Sequence, residues 1–334
     1  MLKKYWLLLS AIMIMAILAA CGQSDNEKDD KTVKGEKQEG ETAEAYEPVT
    51  LENFGRTVTF AEPPKRTVGL MQDNAELMLA LGLDDYLVGY SFPRDKAAAG
   101  LEEKMSKVPL LSEGYPSKEL LLGLEPDFVM GSDDFFVDGV VGTTAELEKL
   151  GVKSYIPEAG GKPATMENMV YKEIHEVSRI FGVESRGDEL IQSIQDKVKG
   201  IQEKISDEEP LDIFYMAGGD SGAALTTGGD MIRSHVVGLA GGENIFSEVT
   251  GWMAEVSWEE VIERNPDVIV LAYCCGTTPE QLMDTLSNIP SLQDVDAVKN
   301  KRFVTIEHAD VEQSVRIPNG LETLVKGFYP ELFK

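Results

Sequence analysis

The sequence SKELLLGLEPDFV at residues 117–129 recurs in outline 140 positions later, as SWEEVIERNPDVI at residues 257–269. Both copies carry serine first, glutamate third, and Pro-Asp before an apolar run. Serine is favoured immediately before a helix, proline disfavours helix in the residue before it, and short apolar runs are typical of buried strands. Each copy therefore predicts a helix that begins after serine, ends before proline and leads into a strand.

The distance between the copies predicts two similar α/β lobes rather than a short-period array. Around each copy, apolar strands alternate with helices, which favours parallel sheets with helices on their faces. The main predicted strands lie at 67–71, 87–90, 127–131, 152–156, 211–216, 268–273 and 302–306. Two such lobes form a cleft between them, and a cleft of this kind is a common place for a ligand.

A long helix is predicted between the two halves. Residues 165–181 contain no glycine or proline, and their apolar residues recur close to every 3.6 positions until Gly182. We interpret this helix as the link between the lobes. The chain then divides into a signal peptide, a linker, an N-terminal α/β lobe, the interlobe helix and a C-terminal α/β lobe, at residues 1–20, 21–47, 48–163, 164–182 and 183–334.

The composition is that of a folded and strongly acidic protein. A chain of 334 residues with 43% hydrophobic residues is long enough for two domains with full cores. Its formal net charge of -27 argues against a nucleic-acid partner, because a phosphate backbone requires a basic face. The same charge disfavours a strongly anionic ligand unless the cleft is locally basic.

The first 47 residues predict export and membrane attachment. Residues 1–20 combine early lysines with a short apolar stretch, as in a signal peptide. The residues LAAC at 18–21 resemble a bacterial lipobox, which implies lipidation of Cys21, cleavage before it and tethering to the membrane by acyl chains. Residues 21–47 are rich in charge and glycine, which predicts a disordered linker. We expect a lipid-anchored protein on the outer face of the cytoplasmic membrane, in a cell of the Gram-positive type.

Four segments, in this order, carry a resemblance to a known family: AELMLALG at 75–82, LEPD at 124–127, LAGGENI at 239–245 and VSWEEV at 256–261. They resemble the substrate-binding component of ABC importers, in the class that takes up ferric siderophores, haem or cobalamin. The resemblance covers residues 48–334. It implies two Rossmann-like α/β lobes with parallel sheets, joined by a single long α-helix.

The resemblance also implies docking residues and partners. In this family one surface glutamate of each lobe pairs with arginines of the permease subunits, and the matching positions in the repeat are Glu119 and Glu259. Each glutamate has a structural explanation as well, because the helix dipole favours a carboxylate in the first turn. The expected partners are the permease dimer with its ATPase, a small-molecule iron complex and the membrane, with the protein itself a monomer.

Ligands of parallel α/β lobes bind beyond the carboxyl ends of the strands, and this rule nominates cleft residues. Arg94 is the leading candidate, because a guanidinium can pair with the oxygens of a ferric chelate. Tyr90, Phe92 and Trp252 offer flat apolar surface, although aromatic residues near strands also serve as core. The other candidates are Gln72, Ser132, Phe135, Thr227, Tyr273 and His308.

Other ligands remain alternatives. With only three histidines in the chain, we expect no resident cofactor and no dedicated site for a bare divalent metal. His308 and Met71 could ligate haem iron from opposite lobes. Cobalamin is disfavoured, because Glu113 and Ser132 lie where the resemblance would place first-lobe tryptophans that stack on a corrin.

Two adjacent cysteines, Cys274 and Cys275, follow the strand predicted at 268–273. An exported protein meets oxidising conditions, and a disulfide between neighbouring residues closes a strained and easily reduced ring. The pattern therefore predicts either two reduced thiols, one of them buried, or a vicinal disulfide at the edge of the cleft.

The leading hypothesis is a binding protein that captures a ferric siderophore-like chelate and delivers it to an importer. Haem or cobalamin binding within the same class is the alternative. No Gly-x-Ser-x-Gly sequence, phosphate-binding loop or metal-ligand cluster indicates an enzyme, and no catalytic residue is predicted. A cofactor-binding enzyme or a sensor that reads its ligand without transporting it are the remaining function classes.

Overall fold

The computed structural model describes residues 46–94, 96–157, 163–274 and 276–334 of the chain. The predicted signal peptide, the lipidation site Cys21 and nearly all of the predicted linker lie outside these residues. Among the residues described, no helix combines the length and the apolar character needed to cross a bilayer.

The first half of the described chain builds a sheet of five strands with helices between them, preceded by an antiparallel hairpin. Its elements are β1 (Val49–Asn53), β2 (Arg56–Phe60), β3 (Thr67–Gly69), α1 (Gln72–Ala80), β4 (Leu87–Ser91), α2 (Glu102–Met105), β5 (Leu110–Ser112), α3 (Lys118–Gly123), β6 (Phe128–Met130), α4 (Thr144–Lys149) and β7 (Lys153–Tyr155).

The N-terminal sheet has the order β5-β4-β3-β6-β7, and all neighbouring strands are parallel. In the centre, Thr67 lies opposite Phe128 and Gly69 lies opposite Met130. The chain moves outward from β3 to β4 and β5, then returns to the other side of β3 for β6. This reversal makes the carboxyl ends of β3 and β6 a topological switch point, where sheets of this type bind ligands.

Two successive helices connect the halves. Residues Met166–Tyr171 form a π-helix, α5 continues over Lys172–Phe181, and Gly182 ends the helix in the left-handed conformation with a φ of 64°. Glycine suits this position because it has no Cβ to clash. A second helix, α6, spans Glu184–Lys204. The predicted linking helix is therefore present, with a π-helical beginning that its apolar spacing did not indicate.

The second half repeats the parallel arrangement and adds a small antiparallel sheet. Its main sheet has the order β11-β8-β13-β14, and the added sheet has the order β12-β10-β9. The elements are β8 (Leu211–Met216), β9 (Gly218–Gly219), β10 (Ala223–Thr226), α7 (Ile232–Leu239), β11 (Gly242–Asn244), β12 (Ala254–Ser257), α8 (Trp258–Arg264), β13 (Val268–Tyr273), α9 (Pro279–Ser287), α10 (Asp296–Lys299), β14 (Phe303–Glu307) and α11 (Ile317–Phe328).

The repeated sequence has the same local structure in both halves. The hydroxyls of Ser117 and Ser257 accept hydrogen bonds from the backbone N–H three residues later, which caps α3 and α8. A left-handed residue that is not glycine follows each helix within two positions, Glu125 with a φ of 49° after α3 and Asn265 with a φ of 45° after α8. The helix starts predicted from serine are confirmed.

The aspartate after each proline then holds the next strand in place. The Asp127 carboxylate accepts hydrogen bonds from the backbone N–H groups of Lys65 and Arg66, and the Asp267 carboxylate accepts one from the N–H of Asp212. In return, the Asp127 N–H donates to the Arg66 carbonyl and the Asp267 N–H to the Asp212 carbonyl. The repeat thus places β6 beside β3 and β13 beside β8.

A continuous apolar core runs through both lobes. One cluster of buried residues joins Met78 of α1, Ile174 of α5 and Leu324 of α11. Each lobe has a further cluster on the opposite face of its sheet, represented by Val129 and Ile269. Because the helices that connect the lobes are packed into the shared core, large rotations of one lobe against the other would disrupt apolar contacts.

Candidate functional site

An aromatic cluster lies beyond the carboxyl ends of β4, β5 and β6. The ring of Tyr115 lies 5.5 Å from Phe92 and 4.7 Å from Phe135, measured between centroids. Phe135 is buried, whereas Tyr115 is 50% exposed and its hydroxyl donates to the Asp134 carboxylate. Phe92 adopts a φ of 52°, which is uncommon for an aromatic residue. The cluster presents part of its aromatic surface at the side of the N-terminal sheet where ligands bind.

Arg94 is held in a nearly buried ion pair. Its Nη2 lies 2.6 Å from Oδ2 of Asp73, and only 12% of its side chain is exposed. Burial disfavours the charge, but Asp73 outweighs this effect and raises the pKa of Arg94 above its ordinary value. Gln72 fixes the same loop, because its amide oxygen accepts from the Arg94 N–H and its amide nitrogen donates to Glu76. Arg94 and Gln72 therefore have structural partners at the site.

Arg316, just before α11, joins the two lobes. Its Nε and Nη2 donate to both carboxylate oxygens of Glu76 in α1, at 2.7 and 2.8 Å. Its Nη1 lies 3.4 Å from carboxylates of Glu307 and Asp310, in its own lobe. Only 2% of the Arg316 side chain is exposed, and the Glu76 side chain is fully buried. The residues beyond β3 and β14 thus meet at the junction of the lobes.

A second buried group surrounds His308, which follows β14. Its Nε2 lies 2.5 Å from Nη1 of Arg233 and 2.8 Å from Oε1 of Glu312, and its Nδ1 lies 3.5 Å from the Tyr215 hydroxyl. Burial lowers the pKa of His308 despite the neighbouring Glu312. Burial opposes ionisation of Glu312 as well, but the charge of Arg233, followed by the contact with His308, lowers its pKa to about 2.

Arg233 is a fully buried arginine whose hydrogen-bonding capacity is only partly used. Its Nε and Nη2 have no hydrogen-bond partner among the residues described. The guanidinium carbon lies 5.1 Å from the ring centre of Trp252, which is 55% exposed and stands 5.9 Å from the His308 ring. Nε lies 3.6 Å from the Glu312 carboxylate, and buried polar groups are rarely left without partners, so Arg233 keeps unused hydrogen-bonding capacity beneath Trp252.

We call the eight charged residues at the junction the interlobe charge cluster. They form two groups, one joined by ion pairs through Asp73 and Arg316, which lie 3.9 Å apart, and one made of Arg233 and Glu312, which lie 3.6 Å apart. The members are Asp73, Glu76, Arg94, Arg233, Glu307, Asp310, Glu312 and Arg316.

The remaining candidates have different surroundings. Ser132 donates to Met71 and to Asp134, and Tyr90 is half-buried beside the core. Thr227 is fully buried, and its hydroxyl has no hydrogen-bond partner among the described residues. Tyr273 and Cys274 are half-buried at the end of β13. Because Cys275 lies outside the described residues, the pairing of the two thiols stays a prediction.

The contacts of His308 bear on the haem alternative. Both ring nitrogens face protein partners, and the sulfur of Met71 accepts a hydrogen bond from Ser132 at 3.7 Å. Iron ligation by His308 would break its contacts with Arg233 and Glu312. Within the described ranges, no three His, Cys, Asp or Glu side chains are grouped closely enough to hold a metal ion.

The two glutamates predicted for docking occupy equivalent positions. Glu119 is the second residue of α3 and Glu259 is the second residue of α8, and both side chains are exposed. Hydrogen bonds from its own backbone N–H and from Ser117 lower the pKa of Glu119. Leu120, beside Glu119, is 51% exposed. Both helix starts therefore present a glutamate side chain outward.

Sequence reasoning missed Tyr115, Arg233, Glu312 and Arg316 as members of the site. Tyr115 follows β5, a strand of three residues that was not predicted. Arg233 lies in α7, and a helical pattern does not predict that an arginine is fully buried. Glu312 and Arg316 lie in the segment between β14 and α11. The rule that ligands bind beyond the carboxyl ends of strands would have included them if it had been applied to that whole segment.

An open groove of about 440 Å³ lies elsewhere, at the amino ends of β8 and β14. Its lining includes Glu208, Glu209, Glu331 and Arg302, together with Phe328. Sheets of this type bind their ligands at the carboxyl ends of the strands, and this groove is at the opposite edge. We therefore assign the candidate site to the interlobe junction and not to the groove.

Comparisons with known proteins agree with this fold. The sequence model of the periplasmic binding protein family matches residues 68–309. YvrC of Bacillus subtilis, described as an uncharacterized ABC transporter substrate-binding lipoprotein, is 28% identical over 98% of this chain and 96% of its own length. A vitamin B12-binding protein of Vibrio parahaemolyticus is 28% identical over 65% of this chain and 74% of its own. The crystal structure of an ABC-type Fe3+-hydroxamate transport protein from Saccharomonospora viridis superposes with a TM-score of 0.72 at 26% identity, covering 84% of this chain and 99% of that one.

Proposed function

The chain belongs to the periplasmic binding protein family, and we propose that it captures a ferric chelate between its lobes and delivers it to the permease of an ABC transporter. The observation that carries this proposal is Arg233, which is fully buried beneath the exposed ring of Trp252 and whose Nε and Nη2 have no hydrogen-bond partner among the residues described. In this proposal Trp252 moves aside when the ligand enters, so that chelate oxygens accept hydrogen bonds from Arg233 while the indole packs against the organic body of the ligand.

The N-terminal lobe would supply a second apolar wall. Tyr115 and Phe92 belong to an aromatic cluster beyond the strand ends, and half of the Tyr115 side chain is exposed. We propose a positioning part for Arg94 in place of the ligand contact expected from the sequence, because its charge is paired with Asp73. In this proposal, Arg94 and Gln72 shape the loop of the site, and Arg233 makes the main polar contact with the ligand.

Delivery would use Glu119 and Glu259. Two exposed carboxylates at equivalent positions of similar lobes form a two-pronged acidic surface, and arginine binds carboxylates in a bidentate manner. We propose that each glutamate pairs with one permease subunit, that acyl chains on Cys21 keep the protein at the membrane, and that the protein works as a monomer without catalysis.

Vitamin B12 is the second candidate ligand, and the similarity to a vitamin B12-binding protein supports it. Equilibrium dialysis of the full chain against ferric hydroxamates, ferric catecholates, ferric citrate, haemin and cobalamin separates the candidates. We expect saturable retention of one class of ferric chelate. Retention of cobalamin or haemin alone would overturn the proposal of a siderophore-like ferric chelate and leave an importer component with another ligand.

A further inference from the structure

One ring nitrogen of His308 faces two partners with opposite requirements. Its Nε2 lies 2.5 Å from Nη1 of Arg233 and 2.8 Å from Oε1 of Glu312. An arginine only donates hydrogen bonds, and an ionised carboxylate only accepts them. A ring nitrogen without a hydrogen therefore suits Arg233, whereas a ring nitrogen with a hydrogen suits Glu312. Nε2 cannot satisfy both partners at once.

The surroundings of His308 decide which partner is satisfied at neutral pH. Burial is the largest effect and lowers the pKa of His308, Glu312 opposes burial, and the charges of Arg233 and Arg94 lower the pKa further. The ring is therefore neutral. Two N–H groups cannot face each other across the short contact with Arg233, so Nε2 accepts from Arg233. The single ring hydrogen then lies on Nδ1, 3.5 Å from the Tyr215 hydroxyl.

The neutral ring anchors Arg233. The Nη1 of this buried arginine donates to His308, while its Nε and Nη2 have no hydrogen-bond partner among the residues described. The ring of Trp252 packs over the guanidinium at 5.1 Å and stands 5.9 Å from the His308 ring. The position of Arg233, and with it the packing of Trp252, thus depends on the acceptor at Nε2.

A proton on Nε2 reverses these preferences. The new N–H points at a donor of Arg233, and two cations then meet in a buried place where charges are weakly screened. The same N–H forms a charge-assisted hydrogen bond with Glu312, whose carboxylate is already within 2.8 Å. Protonation therefore strengthens the contact of His308 with Glu312 and removes the acceptor that held Arg233.

The other titratable groups described around His308 keep their charge while this proton binds. Glu312, with a pKa of about 2, stays ionised. Burial raises the pKa of Tyr215, so its hydroxyl stays neutral. Arg233 in α7 and Arg94 of the N-terminal lobe stay positive, because arginine is not deprotonated in proteins. A change in this group on mild acidification is therefore expected to come from His308.

We propose that His308 is a positioning residue, which holds Arg233 beneath Trp252 while its ring is neutral and releases both side chains when Nε2 takes up a proton. Its consequence for transport rests on the proposed function, because a ligand that uses Arg233 would then bind less tightly in acid. The release itself belongs to the ligand-free protein. It can therefore be measured whether or not a ferric chelate binds.

NMR of the ¹⁵N-labelled imidazole rings tests the first half of the proposal on the ligand-free full chain. At pH 7.5 we expect His308 to carry its hydrogen on Nδ1, and to become doubly protonated below about pH 6.5. His308→Gln identifies its signal among the three histidines. A hydrogen on Nε2 at pH 7.5, or a ring that stays neutral down to pH 5, would overturn the proposal.

Acrylamide quenching of tryptophan fluorescence measures the release. In the full chain carrying Trp6→Phe, quenching should increase over the pH range in which His308 takes up its proton. The increase should be less than about twofold, because Trp252 is already 55% exposed. It should vanish in Trp6→Phe/Trp252→Phe, which keeps only the buried Trp258. Quenching that does not change with pH would contradict the release of Trp252.

Two histidine variants of the Trp6→Phe chain provide the matched comparison. His308→Gln offers an amide oxygen to Arg233 and does not titrate, so it should remove the pH dependence of quenching. His235→Gln removes a histidine of the same helix, whose pKa is also lowered by burial, and should retain the pH dependence. A pH dependence that persists in His308→Gln, or that is lost in His235→Gln, would assign the proton to another group and overturn the proposal.

Discussion

Arg316 holds Glu76 through two hydrogen bonds of 2.7 and 2.8 Å, although 240 residues separate them in the chain. Glu76 belongs to the helix that follows the first strand of the N-terminal sheet, and Arg316 precedes the last helix of the C-terminal lobe. Both side chains are removed from water. This contact fixes the two lobes against each other at the place where the ligand is proposed to bind.

Removing Arg316 should destabilise the fold strongly. Arg316→Met leaves the buried carboxylate of Glu76 without its positively charged partner, and breaking a buried ion pair in this way costs about 3–5 kcal/mol. Chemical unfolding of the full chain measures the loss. The exposed pair of Lys65 and Glu62 is the control, because Lys65→Met should cost about 0–1 kcal/mol. Equal losses in both variants would contradict the structural importance of the buried pair.

Stability should fall as pH rises toward 8 because of Glu173 in α5. Burial raises its pKa to about 8, and Gln313 donates to its carboxylate at 3.0 Å. The unfolded chain loses this proton near the ordinary pKa of about 4.3, so between about 4.3 and 8 the folded state binds more protons and stability declines. The slope is at most about 1.4 kcal/mol per pH unit.

Glu173→Gln should remove this part of the pH dependence, since an amide mimics the protonated carboxyl and does not titrate. Urea unfolding between pH 5 and pH 8.5 compares the variant with the wild type. Parallel stability curves for the two proteins would show that Glu173 does not carry the effect.

Charge reversal at the predicted docking pair should separate transport from binding. In Glu119→Lys/Glu259→Lys, uptake of the chelate should drop to background, while the affinity of the protein for the chelate changes by less than about twofold. Glu62→Lys/Glu331→Lys makes the same charge change at exposed positions outside the repeat and should retain uptake. Loss of chelate affinity in the first variant would contradict the docking assignment.

A larger side chain at Gly320 in α11 should destabilise the protein, because α11 packs closely against the residues after β14 there. A Cβ at Gly320 in α11 would collide with the backbone carbonyl of Asp310. Gly320→Ala should therefore destabilise the protein by about 1–3 kcal/mol. Gly200 in α6 has nothing within 4 Å, and Gly200→Ala should stabilise it by up to about 1 kcal/mol. Thermal unfolding of the two variants should move in opposite directions.

The sequence predicts the parts of this fold that depend on local chemistry. Serine caps, prolines after helices and apolar strands are encoded within a few residues, so the repeat around Ser117 and Ser257 has the structure expected from it. The small antiparallel sheet was not predicted, because part of it lacks such a local pattern of side chains. Its strand β9 is only Gly218–Gly219, which offers no side chains for a pattern.

The site is harder to predict because its contacts are long-range. Arg94 follows a strand and is near the junction, as the carboxyl-end rule predicts, but its pairing with Asp73 depends on two separate loops. Arg233 packs beneath the ring of Trp252, and Trp252 lies in the loop between β11 and β12. Neither the contact of Arg94 with Asp73 nor that of Arg233 with Trp252 can be inferred from the residues beside them in the chain.

A tryptophan fluorescence titration tests most directly whether a ferric chelate binds against Trp252. The full chain carrying Trp6→Phe retains the exposed Trp252 and the buried Trp258, and ferric chelates absorb in the range of indole emission. The account predicts saturable quenching by a ferric chelate at sub-micromolar concentration, largely lost in Trp6→Phe/Trp252→Phe. Quenching that is unchanged by the loss of Trp252, or no saturation with any ferric chelate, would contradict it.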